Sequence, residues 1–181
     1  MLADEIEKQI TFAVASSLTA VAKEGQAAEV ADIRETFTVR NNWPEVGPYA
    51  IKVEPATKTK LEAHVYTMAD WMEIQEFGGT KVSHSGGALA VPTDEVRPDE
   101  SRIIPKAQRP RNIKGAFILQ TKKGPVLAIR QGKEIKVLYG LESKVNVQAR
   151  PTFIMSVEKV VNNRFEAIFS EKLDEALKTA R

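Results

Sequence analysis

The sequence predicts an α+β protein with a mostly antiparallel sheet, an N-terminal and a C-terminal helix, and a long proline-rich loop or arm. Apolar residues recur at helical spacing near both ends of the chain, and they alternate with polar residues between the ends. Short polar turns that contain glycine join the alternating segments, and only antiparallel strands can be joined so briefly. We treat residues 1–181 as a single structural domain in which 93–113 forms the extended loop or arm.

Amphipathic stripes predict the two terminal helices. The N-terminal stripe consists of Ile6, Ile10, Val14, Leu18 and Val21. Gly25 is placed to end this helix, and a second, weaker helical stretch covers 27–37. Pro151 suits the first turn of the C-terminal helix. The apolar residues of that helix follow at four-residue spacing and are Phe153, Val157, Val161, Phe165, Phe169, Leu173 and Leu177.

Between these helices the apolar period changes to two, which predicts strands. A turn-like segment separates the first two strands and makes them a hairpin, and turns that contain Gly124 and Gly132 connect three later strands into a meander. A short helix lies between the hairpin and the meander and is ended by Gly78 and Gly79. In chain order the predicted elements are strands 50–54 and 60–66, helix 68–77, and strands 116–120, 126–129, 135–139 and 144–149.

The segment 93–113 is the most irregular part of the sequence. Four prolines in 92–110 remove backbone donors and disfavour regular structure. The segment is long for a connection inside a compact domain, and such loops usually carry function or become ordered on binding. We expect an extended arm or loop with few contacts inside its own subunit.

The composition removes much catalytic chemistry. Because the chain has no cysteine and only two histidines, His64 and His84, it cannot form disulfides, thiolate sites or multi-histidine metal sites. The triplet Ser83-His84-Ser85 contains a hydroxyl and a base, but adjacent side chains rarely face each other, and the flanking glycines favour a flexible loop. His64 should face outward from its strand. We therefore expect no enzyme activity, no catalytic residues, no metal and no cofactor.

The sequence also predicts that the protein has no membrane partner. No apolar run approaches the ~18 residues that a helix needs to cross a bilayer. The acidic N-terminus lacks the basic and apolar regions of a secretion signal, so we expect a protein that is made in the cytoplasm.

Charge is distributed unevenly, although the net charge is only +2. The segment 101–150 has twelve lysines and arginines and two acids, so it carries +10 and the rest of the chain carries −8. This polarity suits nucleic-acid contact, and it equally suits head-to-tail contact between identical subunits. Only Phe117 and Tyr139 could stack on bases within the segment, so sequence-specific recognition is not expected. The acids of the N-terminal region that could meet a basic patch are Asp4, Glu5, Glu7, Glu24, Glu29, Asp32 and Glu35.

Two aromatic and four basic residues make up the candidate subunit interface. Trp71 and Phe77 lie on one short element with Met72 and Ile74, and either core packing or an inter-subunit anchor explains this crowding. The basic residues come from the irregular segment. The candidate interface residues are Trp71, Phe77, Arg102, Lys106, Arg109 and Arg111.

An ordered set of short segments spans nearly the whole chain. The segments are 37–43 (FTVRNNW), 65–66 (VY), 72–79 (MEIQEFGG), 87–92 (GALAVP), the turn at 123–124, 137–139 (VLY) and 150–153 (RPTF). In this order the set resembles tailed-bacteriophage proteins of the tail-completion or neck group, which includes proteins similar to the lambda-type minor tail protein Z. The long proline-rich loop departs from that group.

The resemblance implies a structural virion protein of the neck or tail, made in the host cytoplasm. Proteins of this group form homo-oligomeric rings at the head–tail junction or cap the tail tube, and the resemblance suggests a hexamer. The implied partners are further copies of the chain, neighbouring neck, connector or tail-tube proteins, and DNA contacted non-specifically in the channel. The charge distribution supports a second hypothesis, a non-sequence-specific nucleic-acid-binding protein that uses 101–150.

Overall fold

The computed structural model describes residues 2–83 and 87–179 and confirms the predicted α+β class, with helices at both chain ends. Over these residues the α-helices are α1 (Leu2–Thr36), α2 (Asp70–Phe77) and α3 (Phe153–Thr179). The strands are β1 (Lys52–Glu54), β2 (His64–Tyr66), β3 (Gly79–Val82), β4 (Leu89–Pro92), β5 (Phe117–Thr121), β6 (Gly124–Gln131), β7 (Glu134–Glu142) and β8 (Lys144–Val147).

Every strand pairing of the described residues is antiparallel, as the short turns predict. Strands β1 and β2 form the predicted hairpin, β3 pairs with β8, and a four-stranded sheet has the order β4-β7-β6-β5. The predicted meander is β5 to β7, and β4 adds a fourth strand that the sequence analysis did not assign. The strands of the hairpin are shorter than predicted, because 50–51 and 60–63 lie outside the ladder.

The chain divides into two compact units, whereas the sequence analysis treated 1–181 as one domain. The helical unit contains the described residues of 1–37, 41–76 and 150–181, and therefore holds α1, α3, most of α2 and the β1–β2 hairpin. The sheet unit contains 38–40 and the described residues of 77–149, with the strands β3 to β8.

The prediction that Gly25 ends the first helix is wrong, because α1 continues through it to Thr36. Gly25 is buried against α3, and a Cβ added to it would lie 3.4 Å from Cγ1 of Val157. A small residue at this position lets α3 come close to α1. The two helices are antiparallel, since Glu24 contacts Arg164 whereas Asp32, further along α1, contacts Ser156 near the start of α3.

Gly25→Ala is expected to raise the free energy of unfolding by about 1 kcal/mol, because alanine favours the helix and its Cβ would make an ordinary contact with Val157. Gly25→Leu is expected to lower the same quantity by about 2 kcal/mol, because the buried interface has no room for a longer side chain. Urea unfolding followed by circular dichroism measures both effects. A destabilised alanine variant would show that the helices are closer than we describe.

The four-residue stripe predicted for α3 covers its buried face only in part. Val161 and Leu177 of the stripe are 40% and 44% exposed, whereas Ile168 and Ala176, which lie outside it, are buried. Successive residues in a helix are rotated by about 100°, so each step of four advances the stripe by about 40°. A strict four-residue repeat therefore winds off any fixed face along a helix of this length.

The core of the sheet unit contains Val96, Leu138 and Tyr139. The partly buried residues packed against these three are Ala90, Ile104, Ile113, Leu127 and Ile129. Three of these eight residues thus come from the irregular segment 93–113, and the other five come from β4, β6 and β7.

The segment 93–113 contains no α-helix or strand, only turns and the 3-10 helices Lys106–Gln108 and Pro110–Asn112. The expectation of few contacts within its own subunit is wrong. The Thr93 amide donates to the Leu138 carbonyl at 2.9 Å, and the Tyr139 hydroxyl donates to the Gln108 carbonyl at 2.6 Å. The apolar residues of the segment have no regular period. They pack against one another and against the sheet, and this packing holds the segment in place.

Candidate functional site

The aromatic residue Trp71 lies at the surface of the helical unit. Its ring meets those of Trp43 and Tyr49 edge-on, with centroid distances of 5.6 and 4.8 Å. Trp71 nevertheless stays 41% exposed, while the adjacent Met72 is buried. The crowded residues of α2 could be core residues or an anchor for another subunit. Met72 is a core residue, whereas Trp71 remains available as an anchor.

Phe77, the last residue of α2, is 67% exposed and belongs to the sheet unit. Gly78 follows it with φ of +71°, and a Cβ there would lie 2.9 Å from the Ala149 amide nitrogen. A glycine is needed at this position for both reasons, the left-handed backbone and the close approach of Ala149. This approach holds the backbone of Gly78 in place within the sheet unit, while Phe77 stays in solvent.

The four basic candidates, Arg102, Lys106, Arg109 and Arg111, are all exposed on the sheet unit. Arg109 lines a cavity of about 320 Å³, and the other three do not. The cavity brings Arg109 together with Arg40 and Arg97, which the sequence analysis did not single out. No sequence signal joins these three arginines, because the fold brings them together from three separate segments.

The arginine cavity, lined by Arg40, Arg97 and Arg109, has an otherwise apolar character, with Ile103, Ile104 and Tyr139 also in its lining. The Nε atom of Arg97 is buried and has no hydrogen-bond partner among the described residues. The Arg40 Nε donates to the Glu100 carbonyl at 2.5 Å. Burial raises the pKa of Tyr139, and the charge of Arg97 partly offsets that rise. The tyrosine therefore stays neutral at physiological pH.

The two units carry opposite charge. By sequence, the sheet unit has fourteen lysines and arginines and six acids, a net charge of +8. The helical unit has twelve lysines and arginines and eighteen acids, a net charge of −6. The basic part of the sequence therefore lies in the sheet unit, and the acidic part lies in the helical unit.

Several of the N-terminal acids already have partners inside the helical unit. Both carboxylate oxygens of Glu24 accept hydrogen bonds from Arg164, at 2.9 and 3.2 Å, and this contact lowers the pKa of Glu24. Glu29 is buried, and Asp32 accepts a hydrogen bond from Ser156. Glu7 and Glu35 are exposed and make no ion pair within the described residues, so they remain candidates for contact with another chain.

A polar junction of Glu29, Glu76, Thr152 and Ser156 joins the three helices inside the helical unit. Glu76 of α2 accepts hydrogen bonds from the amides of Thr152, Phe153 and Ile154, at 2.9, 3.1 and 3.1 Å, and so caps the first turn of α3. The helix dipole favours a carboxylate at this end.

Glu29 of α1 reaches the same junction, where its Oε1 accepts a hydrogen bond from the Thr152 hydroxyl at 3.0 Å. Its Oε2 is buried and has no partner among the described residues. Burial raises the pKa of Glu29 to about 7, against the opposing hydrogen bond from Thr152. The charges of Glu76 and Asp32 add to the rise. No sequence pattern predicts this junction, because its residues lie far apart along the chain.

Of the remaining sequence candidates for chemistry, those that the structure describes give no site. His64 is exposed, as expected, and its Nε2 lies 3.6 Å from a Glu62 carboxylate oxygen at the surface. His84 and Ser85 of the Ser83-His84-Ser85 triplet lie outside the described residues. Within residues 2–83 and 87–179, no group of three or more acid or histidine side chains could hold a metal ion. Over the same ranges, none of the helices is both long and apolar enough to cross a membrane.

No protein-family model, curated protein or solved structure matches this chain.

Proposed function

We propose that this chain is a structural protein of a tailed-bacteriophage virion that forms a homo-oligomeric ring. The ring sits at the head–tail junction or caps the tail tube. The observation that carries the proposal is the opposite charge of the two units, −6 on the helical unit and +8 on the sheet unit. The likeness of the ordered segments to tail-completion and neck proteins supports the same function.

A closed ring needs a heterologous interface, in which one patch on each copy meets a different patch on the next. Acidic residues along α1 can meet the basic sheet unit of a neighbour, and charge complementarity would set register and partner choice. Because 93–113 packs on its own sheet, the N-terminal helix rather than this segment is the element that reaches another copy. Glu7 and Glu35 are its exposed acids without an ion pair within the described residues.

The further partners are neighbouring neck, connector or tail-tube proteins, and a hexamer is the proposed stoichiometry. Trp71 and Phe77 are exposed aromatic anchors for such contacts. The basic side chains of the sheet unit can contact DNA in the channel without reading its sequence. The function needs no cofactor and no catalytic group.

Sedimentation analysis of the purified chain tests the ring. We expect a discrete multiple of the 20.1 kDa subunit mass. The double variant Glu7→Lys/Glu35→Lys is expected to weaken assembly roughly tenfold, because each reversal replaces an attraction with a repulsion. The matched control, Glu158→Lys/Glu166→Lys, reverses two exposed acids of α3 and should assemble like the wild type. A wild type that stays monomeric at high concentration contradicts the proposal.

The second candidate function is non-sequence-specific nucleic-acid binding by the monomer through 101–150. The net charge of +8 on the sheet unit favours it. Binding of random duplex DNA should then fall steeply with salt concentration while the chain remains monomeric. Salt-insensitive or absent binding removes this candidate and leaves the ring unaffected.

A further inference from the structure

We propose that the arginine cavity of the sheet unit is a binding site for an aliphatic carboxylate. The carboxylate is either the end of a Glu or Asp side chain on another protein chain or a free small dicarboxylate. The proposal rests on the geometry and charge of the cavity and does not require the ring.

The charge of the cavity is uncompensated. Arg40, Arg97 and Arg109 form no ion pair with any carboxylate in the described part of the chain. Arg40 has a backbone carbonyl as its acceptor, and the buried Nε of Arg97 has none. Charged groups shielded from water are normally paired, so an anion in the cavity would compensate the charge of the arginines that line it.

The size of the cavity fits a small group. Its volume of about 320 Å³ is near the lower end of the range of ligand pockets in proteins. Three arginines line the cavity, and a guanidinium group can present parallel N–H donors to a planar oxyanion, which is the geometry that carboxylates accept best.

The apolar part of the lining favours a carboxylate on a hydrocarbon stem over a nucleic-acid phosphate. Ile103 and Ile104 face the same space as the arginines. The methylene groups of a Glu side chain or of glutarate can pack on these isoleucines while the head group meets the arginines. A phosphodiester has no such apolar neighbour, and the one aromatic ring of the lining, Tyr139, is buried and hydrogen-bonded instead of open for stacking.

Calorimetric titration of the full chain tests the proposal with four probes at constant ionic strength. The probes are glutarate, inorganic phosphate, the peptide Ac-Ala-Glu-Ile-Ala-NH2 and the same peptide with Gln in place of Glu. We expect binding of the Glu peptide, of glutarate or of both, and at least tenfold weaker binding of the Gln peptide and phosphate. Tight binding of the Glu peptide identifies a protein-borne carboxylate, and binding of glutarate alone identifies a free dicarboxylate.

Variants then locate the site. Arg109→Gln removes an exposed guanidinium of the lining and is expected to weaken binding at least tenfold. Arg97→Gln should do the same, with an unchanged thermal melt to show that it folds. Arg111→Gln, two positions from Arg109 and outside the lining, should bind within twofold of the wild type. Phosphate binding as tight as carboxylate binding, no binding of either carboxylate probe, or binding unaffected by Arg109→Gln would overturn the proposal.

Discussion

Glu76→Ala is expected to lower the free energy of unfolding by about 3 kcal/mol, because three amides of the first turn of α3 lose their only side-chain acceptor. The Thr152 amide is buried and cannot turn to water instead. The carboxylate also lies at the positive end of a 27-residue helix, and this favourable interaction is lost with it. Urea unfolding followed by circular dichroism measures the change.

Glu73→Ala is the matched control for this variant. Glu73 lies one turn earlier on α2 and is exposed, so its loss should change the free energy of unfolding by less than about 0.5 kcal/mol. Equal effects of the two substitutions would show that Glu76 acts through the propensity of α2 and not by capping α3.

Local patterns were sufficient to predict the meander of this fold. Alternating residues and short turns around Gly124 and Gly132 place β5, β6 and β7 within a few residues of their observed bounds. These signals suffice because a hairpin is formed by residues that are close in sequence, so its period and turn chemistry lie within one short window.

The helix ends and the irregular segment depended on contacts that no local pattern contains. Glycine is typical of helix ends, but Gly25 lies inside α1 and faces Val157 of α3. The segment 93–113 has the prolines of a free arm, but Val96 and Ile104 bury themselves against β7. In both cases a distant part of the chain decides the structure, and tertiary packing overrides the local preference.

Only part of the arginine cavity could be predicted from the sequence, because the fold brings its residues together. Arg109 could be chosen from the sequence because it lies in a run of basic residues. Arg40 and Arg97 could not, since each stands outside that run and reaches the cavity only through the fold. The hydrogen-bond partner of Glu29 was equally hidden, because Thr152 lies far along the chain, just before α3.

Glu29 is expected to make the stability of the protein depend on pH. Its pKa is about 7 in the folded protein and near 4.5 when the side chain is solvated, so the folded state binds the proton more tightly. A raised acid pKa stabilises the fold fully below about pH 4.5, and this contribution is lost as pH rises through about 7. The difference of about 2.5 pKa units corresponds to about 3 kcal/mol.

Glu29→Gln isolates this contribution, because the neutral amide resembles the protonated carboxyl and does not titrate. The free energy of unfolding of the variant relative to the wild type should rise by about 3 kcal/mol between pH 4.5 and pH 8. The rise occurs because only the wild type must then hold a charge in a buried site, and the charges of Glu76 and Asp32 add to that cost. Glu35→Gln, an exposed acid on the same helix, is the control and should follow the wild-type pH profile. Parallel profiles for Glu29→Gln and the wild type would show that Glu29 stays ionised in the folded protein across this range.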